Sequence, residues 1–168
     1  RKLAGSSSPY ARCDRLGFEP LEPRLVLDAG PLMISEFLTI NDSIVQDADG
    51  DYSDWIEIHN PTQAEVDLDG WHLTDDADDL TKWEFPAVSM VPHDYLLVFA
   101  SNKDRTTGPE LHANFKLSSA GEYLGLIRPD GSTVSHAYAP QFPQQFPDMS
   151  YGLTRDITRP VPLRAQMT

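Results

Sequence analysis

The chain has 168 residues, of which 40% are hydrophobic and 10% aromatic, and it carries a net charge of −13. This length favours one domain with its own core, and the lone Cys13 cannot form a disulfide within the chain. The negative charge argues against a general nucleic-acid binder, which needs clustered lysine and arginine, and no apolar run is long enough for a membrane-spanning helix.

Charge divides the chain into three parts: residues 1–29 carry +1, residues 30–150 carry −16 and residues 151–168 carry +2. We interpret residues 1–30 as a lead that is disordered or loosely packed, since it is rich in serine and arginine. Residues 31–153 form the folded body. Residues 154–168, with two prolines among their last nine residues, are typical of a linker towards a further downstream domain.

Short apolar or alternating runs fill the body, with turn signals between them, and each run predicts a β-strand. The predicted strands cover residues 33–38, 55–59, 65–68, 71–74, 82–85, 95–100, 123–128 and 133–138. Because successive side chains of a strand alternate between its faces, Trp71 and Leu73 should face the core. His72 and Thr74 should then face outwards.

Two Asp-Gly pairs, Asp69-Gly70 and Asp130-Gly131, predict turns, and the second lies between two predicted strands as in a hairpin. No stretch has the periodicity of an amphipathic helix. Six to nine short strands favour an all-β fold, an immunoglobulin-like β-sandwich of two sheets, with a small barrel as the alternative.

Several blocks of the body carry a more specific pattern. The blocks are Trp55-Ile56-Glu57-Ile58-His59-Asn60-Pro61, Asp69-Gly70-Trp71, Lys82-Trp83-Glu84-Phe85-Pro86, Asn114-Phe115-Lys116-Leu117-Ser118 and Gly121-Glu122-Tyr123-Leu124-Gly125-Leu126. In order and spacing they resemble the lamin tail domain in its bacterial form, over about residues 32–153. The resemblance implies an immunoglobulin-like module of large secreted or surface proteins, and it brings no catalytic residue. One departure is the turn before the strand at 95–100, where Asp94 should take the left-handed position usually held by glycine.

Residues 18–29 resemble the short LEPR-xLL segment found near the amino end of large secreted bacterial proteins, with Val26 in place of a leucine. This resemblance implies export, so we expect an extracellular or cell-surface location. The alternative is an amphipathic linker whose Leu21, Leu25 and Leu27 pack on the edge of the sandwich.

An acidic loop precedes the strand that begins near Trp55. Asp47, Asp49 and Asp51 alternate like the first three ligands of an EF-hand calcium loop. Asp47, Asp49, Asp51 and Asp54 are therefore candidate ligands of a calcium loop. The alternative is a solvated acidic turn without a metal.

A full EF-hand is excluded, because the loop has Tyr52 at its sixth position and Ile58 at its twelfth, where glycine and glutamate are needed. A looser calcium loop remains open, completed by Asp54 or by Asp42. No other cofactor is predicted.

Residues 75–79 hold a second group of four carboxylates, which repel one another unless water, Lys82 or a cation screens them. We interpret this segment as a solvated loop with Lys82 nearby. If both acidic loops lie at one end of the sandwich, they could share an ion.

Catalytic signals are absent from the sequence. The five histidines do not have the spacing of zinc ligands, and no Gly-x-Ser-x-Gly elbow surrounds Ser118 and Ser119. We predict no catalytic residue and no enzymatic activity.

The aromatic residues could belong to the core or to a binding surface. Trp55, Trp71 and Trp83 could form a platform for sugar stacking, but their positions in strands favour the core. In residues 138–147, aromatics alternate with prolines, so this segment should wrap the sandwich with Phe142 and Phe146 as anchors. Otherwise it is an exposed docking strip.

Together these features predict a non-catalytic interaction or spacer module of a large exported protein. Its partners would be proteins or cell-surface polysaccharides, not nucleic acid. The alternatives are a calcium-dependent carbohydrate- or matrix-binding module and an accessory domain of a larger enzyme.

Overall fold

The structure is a computed structural model, and it describes residues 32–153. The predicted lead at residues 1–30, its LEPR-xLL-like segment at 18–29 and the linker at 154–168 lie outside the described residues. No helix in the described part of the chain is long and apolar enough to cross a membrane.

Residues 32–153 form short strands joined by turns. In chain order the strands are β1 Met33–Leu38, β2 Asp54–His59, β3 Val66–Asp67, β4 His72–Thr74, β5 Trp83–Glu84, β6 Ser89–Met90, β7 Tyr95–Ala100, β8 Leu111–His112, β9 Leu124–Ile127, β10 Val134–Tyr138 and β11 Tyr151–Gly152. All eight strands predicted from the sequence are present, with ends that differ by one residue at most. The two-residue strands β6, β8 and β11 were not predicted.

The strands form two main sheets, which confirms the all-β, immunoglobulin-like sandwich. A five-stranded sheet has the order β11-β1-β2-β7-β8, and a four-stranded sheet has the order β10-β9-β4-β5. The pairing is antiparallel except between β7 and β8. A small ribbon of β3 and β6 lies beside them. The Asp-Gly turn at Asp130-Gly131 joins β9 to β10 as a hairpin, as predicted.

The core lies between the two main sheets. Alternation along β2 directs Ile56 and Ile58 into it, where they are fully buried with side chains of the facing sheet such as Leu126. Trp71 and Trp83 are buried in the same cluster, as predicted. Burying a large apolar side chain contributes roughly 1.5–3 kcal/mol, so this cluster can stabilise a fold that has no disulfide.

We call the opposite side of the five-stranded sheet its outer face. Trp55 lies on this face, as alternation from Ile56 requires, and packs with Leu38 and Phe99 in a second, smaller cluster. Val45, from the loop between β1 and β2, packs against them. Trp55 is therefore buried, as predicted, but under a loop and not between the sheets.

Two side chains of β4 contradict the prediction that they face outwards. His72 and Thr74 are both buried. The reason is that β4 is a central strand and that a loop folds over its outer side. Thr74 Oγ1 donates to the carbonyl oxygens of Asp76 and Asp79, at 2.9 and 2.7 Å, and so holds this loop in place.

The turn before β7 also differs from the prediction. The left-handed position is taken by His93, with φ of 64°, and not by Asp94. The His93 amide donates to the carbonyl of Asn60, while the Asp94 carboxylate accepts the amide of Tyr95 and begins the strand.

The segment after β10 wraps the sandwich with one anchor instead of two. Phe142 is buried against Phe37, with ring centroids 4.6 Å apart, whereas Phe146 is 57% exposed. Gly121 allows the close approach of this segment, because it has φ of 97° and a Cβ there would collide with the Phe142 carbonyl. The prediction of Phe146 as an anchor was wrong: it lies in a turn closed by a bond from the Met149 amide.

Candidate functional site

The acidic loop between β1 and β2 is organised by Asp47. Its Oδ1 accepts the amides of Asp49 and Asp51, each at 3.0 Å, and its carbonyl accepts the amide of Gly50 at 2.9 Å. Gly50 has φ of 85°, which glycine adopts without strain. Local hydrogen bonds therefore turn the three aspartates towards one another.

The three carboxylates surround a lysine. One oxygen of each lies within 4.8 Å of the others, which is close enough to hold a metal ion. Lys103 Nζ occupies this place, at 2.7 Å from Asp47, 2.7 Å from Asp49 and 2.9 Å from Asp51. Arg105 adds a second cation, with Nη2 at 2.7 Å from Asp49. We call these five residues the lysine-centred cluster.

Asp47, Asp49 and Lys103 are ionised at neutral pH. Burial raises the pKa of Asp47, but hydrogen bonds from Lys103, the Asp51 amide and Ser53 outweigh this, so the net pKa lies below its usual value. Hydrogen bonds from Lys103 and Arg105 lower the pKa of Asp49 to about 2. Burial lowers the pKa of Lys103, but bonds to the three carboxylates raise it further, so its ammonium stays charged.

Asp54, the fourth predicted calcium ligand, is not a member of this cluster. It is the first residue of β2, and its Oδ2 accepts the amide of Leu117 at 3.1 Å. Burial raises its pKa to about 6; the Leu117 amide and Lys116 act in the opposite direction, and nearby Glu122 raises it further. Asp42 is also elsewhere, since its amide is bonded to the side chain of Asp148.

A polar cleft separates Asp54 from the lysine-centred cluster. Its volume is about 370 Å³. The residues that line it are Asp51, Tyr52, Ser53, Asp54, Ala100, Ser101, Lys103 and Lys116. Two of the four predicted calcium ligands, Asp51 and Asp54, line this cleft, whereas Asp47 and Asp49 do not.

Sequence reasoning missed Lys103 and Arg105. They stand more than 50 residues from the acidic loop, and only the pairing of β2 with β7 brings the two segments together. One signal was available, because they are two of only five basic residues in the strongly acidic stretch at residues 30–150.

The second acidic segment agrees with the interpretation of a solvated loop near Lys82. Lys82 Nζ lies 2.6 Å from Asp75, and the carboxylate of Asp76 accepts the amide of Asp78 at 2.9 Å. Within residues 32–153, the group of carboxylates that could hold a metal includes no member of this loop.

A buried serine–histidine pair was also not predicted. Ser101 Oγ lies 2.9 Å from His112 Nδ1, and His112 Nε2 lies 3.8 Å from Glu110. Burial and the positive charges of Arg105 and Lys103 lower the pKa of His112, so it is neutral. Both partners are buried, and the pair links the residue after β7 to β8, while Ser101 also lines the polar cleft.

The outer face carries a second cleft, of about 320 Å³, at the end away from Trp55. We call it the outer-face cleft, and it is lined by Met33, Ser35, Glu36, Glu57, His59, Tyr95 and Leu153. The rings of His59 and Tyr95 stack at 4.3 Å, and Glu57 Oε1 accepts the hydroxyl of Ser35 at 2.6 Å. An aromatic surface beside two carboxylates suits hydroxyl-rich or basic partners.

Comparison with known families gives this fold a name. A family model described as Lamin Tail Domain matches residues 28–140. The chain belongs to the lamin tail domain family. The match covers β1 to β10, so the lysine-centred cluster lies inside it, while β11 and Leu153 lie beyond it. No curated protein matches the chain significantly. The lamin tail domain is an immunoglobulin-like module, which is consistent with a non-catalytic role.

Proposed function

We propose that this lamin tail domain is a non-catalytic interaction module of a large exported protein, in which it mediates protein or cell-surface contacts. The observation that carries the proposal is the position of β11 beside β1. The amide of Leu153 donates to the carbonyl of Ser35 at 2.8 Å, and β1 begins two residues earlier, at Met33. At about 3.3 Å per strand residue, Met33 and Leu153 therefore lie within roughly 10 Å of each other.

A domain with neighbouring points of attachment projects from its chain and adds little to the distance between the segments on either side. This arrangement favours an interaction role over the spacer role that the sequence left open. The LEPR-xLL-like residues 18–29 support export. Protease digestion of intact host cells tests this part: we expect a tagged full-length protein to be cleaved from outside.

The outer-face cleft is the surface we propose for contact with a cell-surface polysaccharide. Stacked rings can lie against the apolar face of a sugar, and the carboxylates of Glu36 and Glu57 can accept its hydroxyl groups. On the opposite half of the outer face, Val45 from the loop between β1 and β2 packs against the cluster of Leu38, Trp55 and Phe99.

Cosedimentation of the chain with purified peptidoglycan sacculi and with washed whole cells tests this surface. Tyr95→Ser should reduce binding at least tenfold. Tyr52→Ser is the matched control, because Tyr52 is similarly exposed, 45% against 40%, but lies outside the cleft. Thermal melts show whether both variants are folded. Equal binding by the two variants, or no binding of the unmodified chain to either probe, would refute the role of this cleft.

A calcium-dependent carbohydrate- or matrix-binding module is the second candidate. The observation in its favour is the convergence of Asp47, Asp49 and Asp51 within 4.8 Å. Calcium would have to displace Lys103 from this place. A thermal melt of the chain with chelator and then with millimolar calcium tests it, since a ligand at one hundred times its dissociation constant adds about 2.7 kcal/mol.

A further inference from the structure

The polar cleft beside the lysine-centred cluster has the size of a small-molecule site. Its volume of about 370 Å³ lies in the range of roughly 300–1,000 Å³ that such sites occupy. Asp54 pairs with Ala100 at the end of β7, and Lys116 forms a bridge with Ser101, the next residue. All four line the cleft, so the pairing of separate segments builds it and brings Asp54 and Lys116 to its walls.

The cleft is lined by two acidic and two basic residues, and only one pair of them is neutralised. Lys103 Nζ lies 2.9 Å from the carboxylate of Asp51. Asp54 and Lys116 form no ion pair, either with each other or with any other residue of the described chain. Burial raises the pKa of Asp54, and Lys116 is near enough to act in the opposite direction. Opposite charges therefore line one cleft without contacting each other.

The carboxylate of Asp54 is held by one bond, which leaves its other oxygen available. The Leu117 amide donates to Oδ2, and within residues 32–153 Oδ1 accepts no hydrogen bond. Because burial raises the pKa to about 6, the folded chain carries at neutral pH a carboxylate that its surroundings disfavour. A group kept in this state in a cleft is a candidate for ligand binding, since a ligand cation would supply the missing charge.

The two charges define the chemistry of the ligand. An ammonium suits Asp54 and a carboxylate suits Lys116, because hydrogen bonds between charged groups are the strong ones. Apart from Ala100 and the ring of Tyr52 the lining is polar, which suits a small polar side chain.

We propose that the polar cleft binds a zwitterionic amino acid with a small polar side chain, whose ammonium pairs with Asp54 and whose carboxylate pairs with Lys116. The cleft shares no lining residue with the outer-face cleft, so this site goes beyond contact with a polysaccharide and does not depend on it.

Titration of the full chain, followed by the NMR shifts of its amides at pH 7.5, tests the proposal. The probes are L-serine and two analogues that each lack one charge: ethanolamine has no carboxylate, and 3-hydroxypropionate has no ammonium. We expect L-serine to shift the amides of Asp54 and Lys116 and to bind with a Kd at least tenfold lower than that of either analogue.

Two variants assign the charges. Asp54→Asn and Lys116→Met should each raise the Kd of L-serine at least tenfold. Asp69→Asn is the matched control, because it removes the same charge from an exposed turn outside the cleft, and it should leave the Kd unchanged.

The pH dependence separates binding from a structural role of Asp54. Lowering the pH from 7.5 to 5 should raise the Kd of the unmodified chain about tenfold, because a protonated Asp54 no longer pairs with the ammonium, while L-serine keeps both charges. Glu122 and Lys116 also act on Asp54, and Asp54→Asn separates their effect from its own, since its Kd should not change over this range.

Other results would overturn the proposal. Absence of shifts at Asp54 and Lys116 would show that the cleft does not take an amino acid. Equal affinity for L-serine and one analogue would mean that one of the two charges is not recognised. Equal effects of Asp54→Asn and Asp69→Asn would remove Asp54 from the site. Binding to sacculi is measured separately with Tyr95→Ser, so either proposal can fail without the other.

Discussion

Replacing Lys103 by methionine removes the ammonium from the lysine-centred cluster and keeps most of the side chain's apolar bulk. The side chain of Asp47 is fully buried, and Lys103 Nζ lies 2.7 Å from it. Removing one partner of a buried ion pair costs about 3–5 kcal/mol, since the other charge is left without compensation.

The cost should lie at or below the lower end of this range. Asp47 keeps three hydrogen bonds, from the amides of Asp49 and Asp51 and from the hydroxyl of Ser53. The other two carboxylates reach solvent, with side chains 40% and 66% exposed. We expect Lys103→Met to lower the free energy of unfolding by about 2–3 kcal/mol, which is a fall of roughly 8–15 °C in Tm for a domain of this size.

Chemical denaturation with urea measures this loss, and Lys116→Met is the matched control. Lys116 is exposed, so its replacement should change stability by less than about 0.5 kcal/mol. Adding Asp47→Asn to Lys103→Met should recover part of the loss, because it removes the uncompensated charge. If Lys103→Met unfolds within about 0.5 kcal/mol of the unmodified chain, the cluster does not stabilise the fold and the reasoning is wrong.

The same variant discriminates between lysine and calcium as the cation of this loop. In Lys103→Met the three carboxylates lose the ammonium between them, so millimolar calcium should raise the Tm of the variant more than that of the unmodified chain. A larger rise in the unmodified chain would mean that calcium binds without competition from Lys103.

Three further changes have expected outcomes. The pKa of Asp54 is raised to about 6, so its carboxyl binds a proton more tightly in the folded chain than in the unfolded one, and its contribution to stability is lost as pH rises from about 4 through 6. Asp54→Asn should therefore raise the free energy of unfolding at pH 7.5 by about 1–2 kcal/mol, a value that allows for the partial exposure of Asp54. At pH 4 the free energy of unfolding should be nearly unchanged. Urea denaturation at both pH values measures this, and a loss of stability at both would contradict it. Phe142→Ala should cost about 3–5 kcal/mol and the exposed Phe146→Ala less than about 0.5 kcal/mol, and similar losses would show that both rings anchor the segment. His93→Gly should raise the free energy of unfolding by about 0.5–1 kcal/mol, because glycine adopts the left-handed backbone conformation without strain. The substitution also removes the hydrogen bond between Gln63 and His93, and Gln63→Ala measures the contribution of that bond alone.

A strand could be predicted from the sequence where its own residues alternate between apolar and polar. In β2 the alternation of Ile56 and Ile58 with Glu57 defines both a strand and its buried face. The two-residue strands β6, β8 and β11 have no such pattern, because each exists only through its partner strand. Alternation also assigned His72 and Thr74 to one face of β4, but it could not show that a loop would cover that face.

The candidate site could also be predicted only in part. The spacing of Asp47, Asp49 and Asp51 indicated that their carboxylates converge, because hydrogen bonds within a short loop are local. The position of Lys103 depends on the register between β2 and β7, which no spacing in the sequence specifies. Asp54 was grouped with the loop by proximity in sequence, whereas the first residue of a strand points according to that strand's own alternation.

The neighbouring positions of β1 and β11 also bear on how the domain responds to force. Met33 and Leu153 lie at the same end of one antiparallel pair, so tension applied at these two residues would pull the two strands apart sideways. Their hydrogen bonds, from Leu153 to Ser35 and then the pairs at Glu36 and Phe37, would break one after another instead of all at once. A strand pair loaded in this way opens at lower force than a pair loaded along its length, so β1 and β11 would be the first strands of residues 32–153 to separate.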